Sequence, residues 1–187
     1  ESAQLDAYFF EMQQIDKMLA DPSGRLGLAP AMNDFFASLQ EVATDPSGAA
    51  TRQAVLSNAE VLVRRFQSLN DQLNKIQDGV SVQVENSVSL INTLAAKIAE
   101  LNEAVSLAES IASGQPANDL RDRRDELVMQ LSQEVGAKVV EQNDGSYSIF
   151  IRTGQSLVAG STAFQLTTIA SPVDPQRLEA AYISGAS

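Results

Sequence analysis

The segment LVRRFQSLNDQLNKIQDGVSVQV, residues 62–84, places apolar side chains at Leu62, Phe66, Leu69, Leu73, Ile76, Val80 and Val84. The steps run four, three, four, three, four, which is the heptad seam of a helix lying along other helices. The further step of four to Val84 is a stutter, a local unwinding of any supercoil. Gly79 sits at that point and permits a bend or break there. The pattern extends back to Val55 and, past Ser87, on to Ile91, Leu94, Ile98, Leu101, Val105, Leu107-Ala108 and Ala112. No proline interrupts it between Pro46 and Pro116. A continuous helix from Ala49 to Ser113 would span about 95 Å at ~1.5 Å per residue, against a mean helix of about 11 residues in compact domains. Such a seam needs neighbours along its length, so the expectation is a rod.

Three shorter amphipathic segments are available as neighbours. Ser2 to Ala20 carries Leu5, Tyr8-Phe9, Met12, Ile15 and Met18-Leu19 at helical spacing. Ala29 to Ala43 carries Met32, Phe35-Phe36, Leu39 and Val42. Each ends in the same word, Asp21-Pro22-Ser23-Gly24 and Asp45-Pro46-Ser47-Gly48, which suits a type I turn and back-and-forth packing. After Gly114-Gln115-Pro116-Ala117, Asn118 reads as an N-cap. Asp119 to Val135 follows with Leu120, Leu127-Val128, Leu131 and Val135 inward, and Gly136 is the expected stop.

Beyond Gly136 the period drops to two. Lys138–Gln142 and Ser146–Arg152 flank Asn143-Asp144-Gly145, a strong hairpin signal. Tyr147, Ile149 and Ile151 should share one face. Further strands are expected over Gln155–Ala159, Phe164–Ile169 and Leu178–Ile183. The fold class is therefore α+β, mainly α: an elongated helical bundle built on one very long helix, followed by a small antiparallel β subdomain. The boundary falls between a helical domain, residues 1–136, and a β-hairpin-rich subdomain, residues 137–187, incomplete at its C-terminal end.

Composition excludes several functions. With 13 Lys+Arg against 24 Asp+Glu the net charge is −11, which argues against nucleic acid and against anionic membrane surfaces. No Cys and no His are present, which removes thiol catalysis, Cys/His zinc sites and histidine acid–base chemistry. No stretch reaches the ~20 apolar residues of a membrane span. Glu1 is not an initiator methionine and no secretory leader is recognisable, so an internal piece of a longer protein is expected.

The densest polar constellation is Asp119, Asp122, Asp125 and Glu126 interleaved with Arg121, Arg123 and Arg124. Carboxylates three apart on a helix share a face and could work as an acid/base pair or hold a divalent cation. The interleaved arginines favour a solvated helix start laced with ion pairs, such as Arg121–Asp125 at four residues' spacing. Tyr8, Phe9, Phe35 and Phe36 could line an aromatic pocket, but at this spacing they read as core. Gly24-Arg25-Leu26-Gly27 lacks the spacing and the lysine of a phosphate loop. No catalytic, cofactor-binding or metal-ligating residue is assigned, no cofactor is expected, and the chain does not read as an enzyme.

Two ordered blocks carry a family resemblance. Phe35-Phe36, Leu39, Ala43, Pro46, Arg52 and Val55-Leu56 resemble a block of the flagellar hook-associated proteins. Asn118, Leu120, Asp122, Arg124-Asp125 and Leu127 resemble a second block of that family. Asp144-Gly145-Ser146-Tyr147, Gly154-Gln155-Ser156-Leu157-Val158 and Gly160-Ser161-Thr162-Ala163 continue the match, which covers nearly the whole chain and is to the family's type 1 branch.

The resemblance implies a structural subunit at the junction between flagellar hook and filament, non-enzymatic and secreted through the flagellum's own export channel. It further implies a homo-oligomer in a tubular assembly, with the hook protein and the second junction protein as neighbours. An export chaperone would act on a C-terminal part lying beyond this sequence. Neither nucleic acid nor membrane is implied as a partner. Two other readings stay open: another axial flagellar protein (flagellin or the second junction protein), or a binding module displaying the sheet on a helical stalk.

Overall fold

The computed structural model describes residues 27–111 and 115–183, together with Phe9, Met12 and Gln13. Apart from those three helical positions, the expected helix Ser2–Ala20 and the turn Asp21–Gly24 lie outside the described residues. The described helices are α1 (Leu28–Thr44), α2 (Ala49–Ile111) and α3 (Asn118–Val135). The strands are β1 (Lys138–Glu141), β2 (Tyr147–Phe150), β3 (Ser156–Ala159), β4 (Thr162–Ala163), β5 (Leu166–Ala170) and β6 (Leu178–Tyr182). The chain divides into two compact units, Ser2–Gly79 and Val80–Ser187 with Glu1. Helix α2 contributes to both and continues through Gly79. The change from helix to strand after Gly136 lies inside the second unit.

In the first unit the Asp45 turn closes α1 and launches α2. Gly48 N–H and the Ser47 hydroxyl both donate to Asp45 Oδ1, at 3.1 and 3.2 Å, and Thr51 Oγ1 donates to the Gly48 carbonyl at 2.9 Å. A side chain at Gly48 would meet the Asp45 carboxylate and the Thr51 hydroxyl, both of which would have to shift to admit it. Asn58 Nδ2 donates to the Asp34 carbonyl at 3.2 Å, tying α2 back to α1. The buried positions of α1 are small, Ala31 and Ser38.

The heptad seam of this unit is not covered as expected. Phe66 and Leu73 remain 52% and 49% exposed. Helix α1 has 17 residues, so folded back from the Asp45 turn it can accompany only about the first 17 residues of α2. Phe36 is also half exposed, against the expected aromatic core. Phe35 and Phe36 meet edge to face, 5.6 Å between centroids, but neighbours about 100° apart on a helix cannot both face inward.

The second unit holds the core. Ile91, Ala95, Ile98, Asn102 and Val105 are buried along α2, with Val88, Leu94 and Ala99 widening the stripe. All of these except Asn102 and Val105 form one cluster with Leu131 of α3, Ile149 of β2, Leu157 and Val158 of β3 and Leu166 of β5. The seam thus runs through Asn102 rather than the expected Leu101, and Leu107 points to solvent. Helix α3 ends as expected at Gly136, which adopts φ 60° and donates its N–H to the Ser132 carbonyl. Its start differs: Ala117 precedes the helix without a side-chain cap, and Asn118 is already helical.

Strands β1 to β4 form an antiparallel meander in sequence order, and β5–β6 form a separate two-stranded sheet. The β1–β2 turn is set by Asp144, whose Oδ1 accepts from Ser146 N–H and Oγ at 3.0 and 2.7 Å, with Gly145 at φ 76°. Glu141 pairs with Tyr147 and Val139 with Ile149. The two-residue strand β4 is an element beyond those expected, and Phe164 falls just outside β5.

Candidate functional site

The charged start of α3 does not gather into one site. Asp119, Asp122, Arg123, Asp125 and Glu126 are exposed, whereas Arg121 is half-buried and Arg124 is only 1% exposed. Among the described residues no group of three or more carboxylates is placed to hold a metal ion.

Arg121 does not form the expected pair with Asp125 but reaches across to α2. Its Nε and Nη2 bind Glu109 Oε1 and Oε2 at 2.7 and 2.9 Å. Glu109 Oε1 also accepts the Ala117 N–H at 3.1 Å. This carboxylate therefore satisfies the N–H of Ala117 just before α3, while the Leu120 and Arg121 N–H groups donate to the Ala117 carbonyl. The Arg121 hydrogen bonds, helped by the Ala117 N–H, lower the Glu109 pKa to about 2.

Arg124 departs furthest from a solvated face. Its guanidinium lies over the Tyr147 ring, 3.5 Å from the centroid, a cation–π stack. Its Nη1 donates to Asn102 Oδ1 at 3.0 Å and to the Gly145 carbonyl at 2.9 Å. Burial, with the Asp125 carboxylate beside it, raises the Tyr147 hydroxyl above its ordinary pKa.

Asn102 is the centre of this cluster. Its Nδ2 donates to the carbonyls of Tyr147 at 2.9 Å and Gly160 at 2.7 Å. Its Oδ1 accepts from Tyr147 N–H at 2.9 Å as well as from Arg124. Both donors and both lone-pair directions of the amide are occupied, so it is fully satisfied. Ten residues earlier on α2, Asn92 repeats the device: Nδ2 donates to the Leu166 carbonyl and Oδ1 accepts the Leu166 N–H, both at 2.8 Å. Each asparagine presents a strand with the donor–acceptor pair that a neighbouring strand would offer. One holds the β1–β4 sheet to α2, the other the β5–β6 sheet.

Sequence reasoning missed both asparagines and misjudged Arg124, because polar residues on a helix were read as its wet side. One signal was available. Asn102 stands four after Ile98 and three before Val105, squarely on the apolar seam. Chemically the cluster is a closed polar node whose hydrogen bonds go to backbone and between Asn102 and Arg124, with the buried Arg124 Nε left without a hydrogen-bond partner. An open cleft of about 340 Å³ beside it is lined by Glu103, Ser106, Asp144, Ser146 and Ser161 among others.

Comparison with known proteins gives a consistent result. A family model described as the flagellar hook-associated protein FlgK helical domain matches residues 12–187. Flagellar hook-associated protein 1 of Escherichia coli (strain K12) is 38% identical over 185 residues, 99% of this chain and 34% of that protein. Its counterpart in Salmonella typhimurium is 36% identical over 187 residues, 100% of this chain and 34% of that protein. The solved structure of the flagellar hook junction protein FlgK from Burkholderia pseudomallei superposes with a TM-score of 0.76 at 33% identity. That match covers 94% of this chain and 32% of the solved one. The chain therefore spans about a third of the length of these relatives.

Proposed function

Because the chain belongs to the flagellar hook-associated protein FlgK helical-domain family, we propose that it is a structural segment of a subunit joining the flagellar hook to the filament. The observation that carries this reading is the agreement, along nearly the whole chain, of sequence match and backbone superposition with a hook junction protein. The site geometry supports it. Asn102 and Arg124 direct their hydrogen bonds at backbone and at each other, which stiffens a body rather than preparing a reaction.

The finer parts of the proposal follow from the family. The subunit forms a homo-oligomeric tubular assembly with the hook protein and the second junction protein as neighbours, outside the cell. It leaves the cell through the flagellar export channel, and an export chaperone engages a part of the subunit beyond this sequence. Its role is structural, not catalytic. A helical part over residues 1–136 and a β part over residues 137–187 divide the work of spanning and of presenting surface. Among the described residues no helix is long and apolar enough to cross a membrane.

Immunogold electron microscopy of the source cells with antibodies to this chain tests the reading. Label confined to the hook–filament junction is the expected result. Label along whole filaments would reassign the subunit to the filament, and label away from flagella would overturn the proposal.

A further inference from the structure

Among the described residues one edge of strand β1 has no partner strand, and its geometry specifies what could pair with it. Gln142 N–H donates to the Ser146 carbonyl, and Tyr147 turns both its backbone groups to Asn102 rather than to β1. Within the register Glu141↔Tyr147 and Val139↔Ile149, the alternation of an antiparallel ladder leaves Val139 and Glu141 with N–H and C=O directed away from β2. Among the described residues no backbone group meets them.

Beside this edge runs a shallow, open groove between β1 and α3, of about 390 Å³, lined by Asp125, Val128, Met129, Val139, Glu141 and Tyr147. Val139 and Glu141 share the face of the fully buried Ile149 and of Tyr147. An added strand bonded to Val139 and Glu141 would aim its side chains opposite those residues into the same groove. The position opposite Val139 meets Val128 and the largely exposed Met129. The position opposite Glu141 meets the Glu141 and Asp125 carboxylates. Arg121 is engaged by Glu109, and Arg124 by Asn102 and Tyr147.

We infer that the β1 edge and the α3 groove form a docking site for an extended segment of a partner protein, with a basic and an apolar side chain two residues apart. Binding is by strand addition: main-chain hydrogen bonds hold the segment and the groove selects its alternate side chains. A second copy of this chain is disfavoured, since it brings another net charge of −11 to an acidic rim. This inference stands on the groove and does not depend on the flagellar reading.

The test uses the isotopically labelled chain and an end-capped eight-residue peptide of threonines carrying one lysine and one valine two positions apart. Chemical-shift changes are expected at the Val139 and Glu141 amides and at the Met129 methyl. Glu141→Lys should weaken binding about tenfold or more and restore it for a peptide with glutamate in place of lysine. Val139→Pro removes an edge donor without removing a β1–β2 bond and should abolish binding while leaving the Leu166 amide signal in place. If that variant does not fold, the charge exchange at Glu141 decides. Shift changes absent from β1, equal binding of a peptide lacking the lysine, or dimerisation of the free chain through β1 in sedimentation would each overturn the inference.

Discussion

Asn102 and Tyr147 exchange two hydrogen bonds, the side-chain amide of a helix residue meeting both backbone groups of a strand residue at 2.9 Å. Asn92 and Leu166 do the same at 2.8 Å. A helix cannot ordinarily satisfy a strand residue that lacks a strand partner, because its own N–H and C=O groups are used internally. An asparagine supplies the missing pair from the side chain. Two such residues on one helix explain how α2 can carry two separate sheets without leaving buried backbone groups unpaired.

Asn102→Ala should leave the Tyr147 backbone groups, the Gly160 carbonyl and one Arg124 bond without their partner. Loss of about 3 kcal/mol or more is expected. Asn92→Ala removes one bracket at a less crowded position and should cost about 1–2 kcal/mol. Urea unfolding measures both, and amide exchange should accelerate at Tyr147 in the first variant and at Leu166 in the second. Equal, small losses would show that water replaces either asparagine without penalty.

Arg123 and Arg124 are neighbours in sequence with opposite roles. Arg123 is exposed and Arg124 is buried over Tyr147. Arg123→Ala should change stability by less than about 0.5 kcal/mol. Arg124→Ala removes two charge-assisted bonds and the stack, for a loss of about 3 kcal/mol. Arg124→Lys should recover only part of this, since an ammonium cannot reproduce the planar stack on the ring. Thermal melts of the three variants decide, and a full recovery by lysine would refute the stacking argument.

These residues also mark how far the sequence could be read. Helix α2, the Gly136 stop and the Asp144-Gly145 hairpin were legible because periodicity and turn chemistry are local. The α3 node was not, since Asn102, Arg124 and Tyr147 meet only after residues 45 apart are brought together. The residue types alone favoured solvent. The seam from Leu62 to Val80 is helical as expected but only partly covered, with Leu62, Leu69 and Ile76 half-buried and Phe66, Leu73 and Val80 exposed. Its period is helical, but a repeat states only that a face is apolar, and α1 is too short to cover it.

Glu109 makes stability depend on acid. Its pKa falls from the ordinary 4.5 to about 2, chiefly through the Arg121 hydrogen bonds and then the Ala117 N–H. A carboxylate depressed in the folded state contributes stability that is fully present above its unfolded pKa and lost as pH falls through the folded one. The melting temperature should therefore drop between about pH 4.5 and pH 2. Glu109→Gln should flatten that part of the profile and lower the melting temperature at neutral pH. Parallel profiles for the two proteins would mean that the clamp contributes nothing to the folded state.

The two halves of α2 should respond differently to the same insult. Ile98 is fully buried between α3 and the sheets, so Ile98→Asp places an unpaired carboxylate in the core. The group must be desolvated or protonated, and a loss of several kcal/mol is expected, enough to unfold the second unit. Leu73 keeps about half its surface in water, so Leu73→Asp forfeits only part of a leucine's burial and buries no charge. Its cost should be about 1 kcal/mol or less. Far-ultraviolet circular dichroism through a thermal ramp separates the outcomes. If Leu73→Asp were as damaging as Ile98→Asp, the first half of the seam would have to be covered in solution.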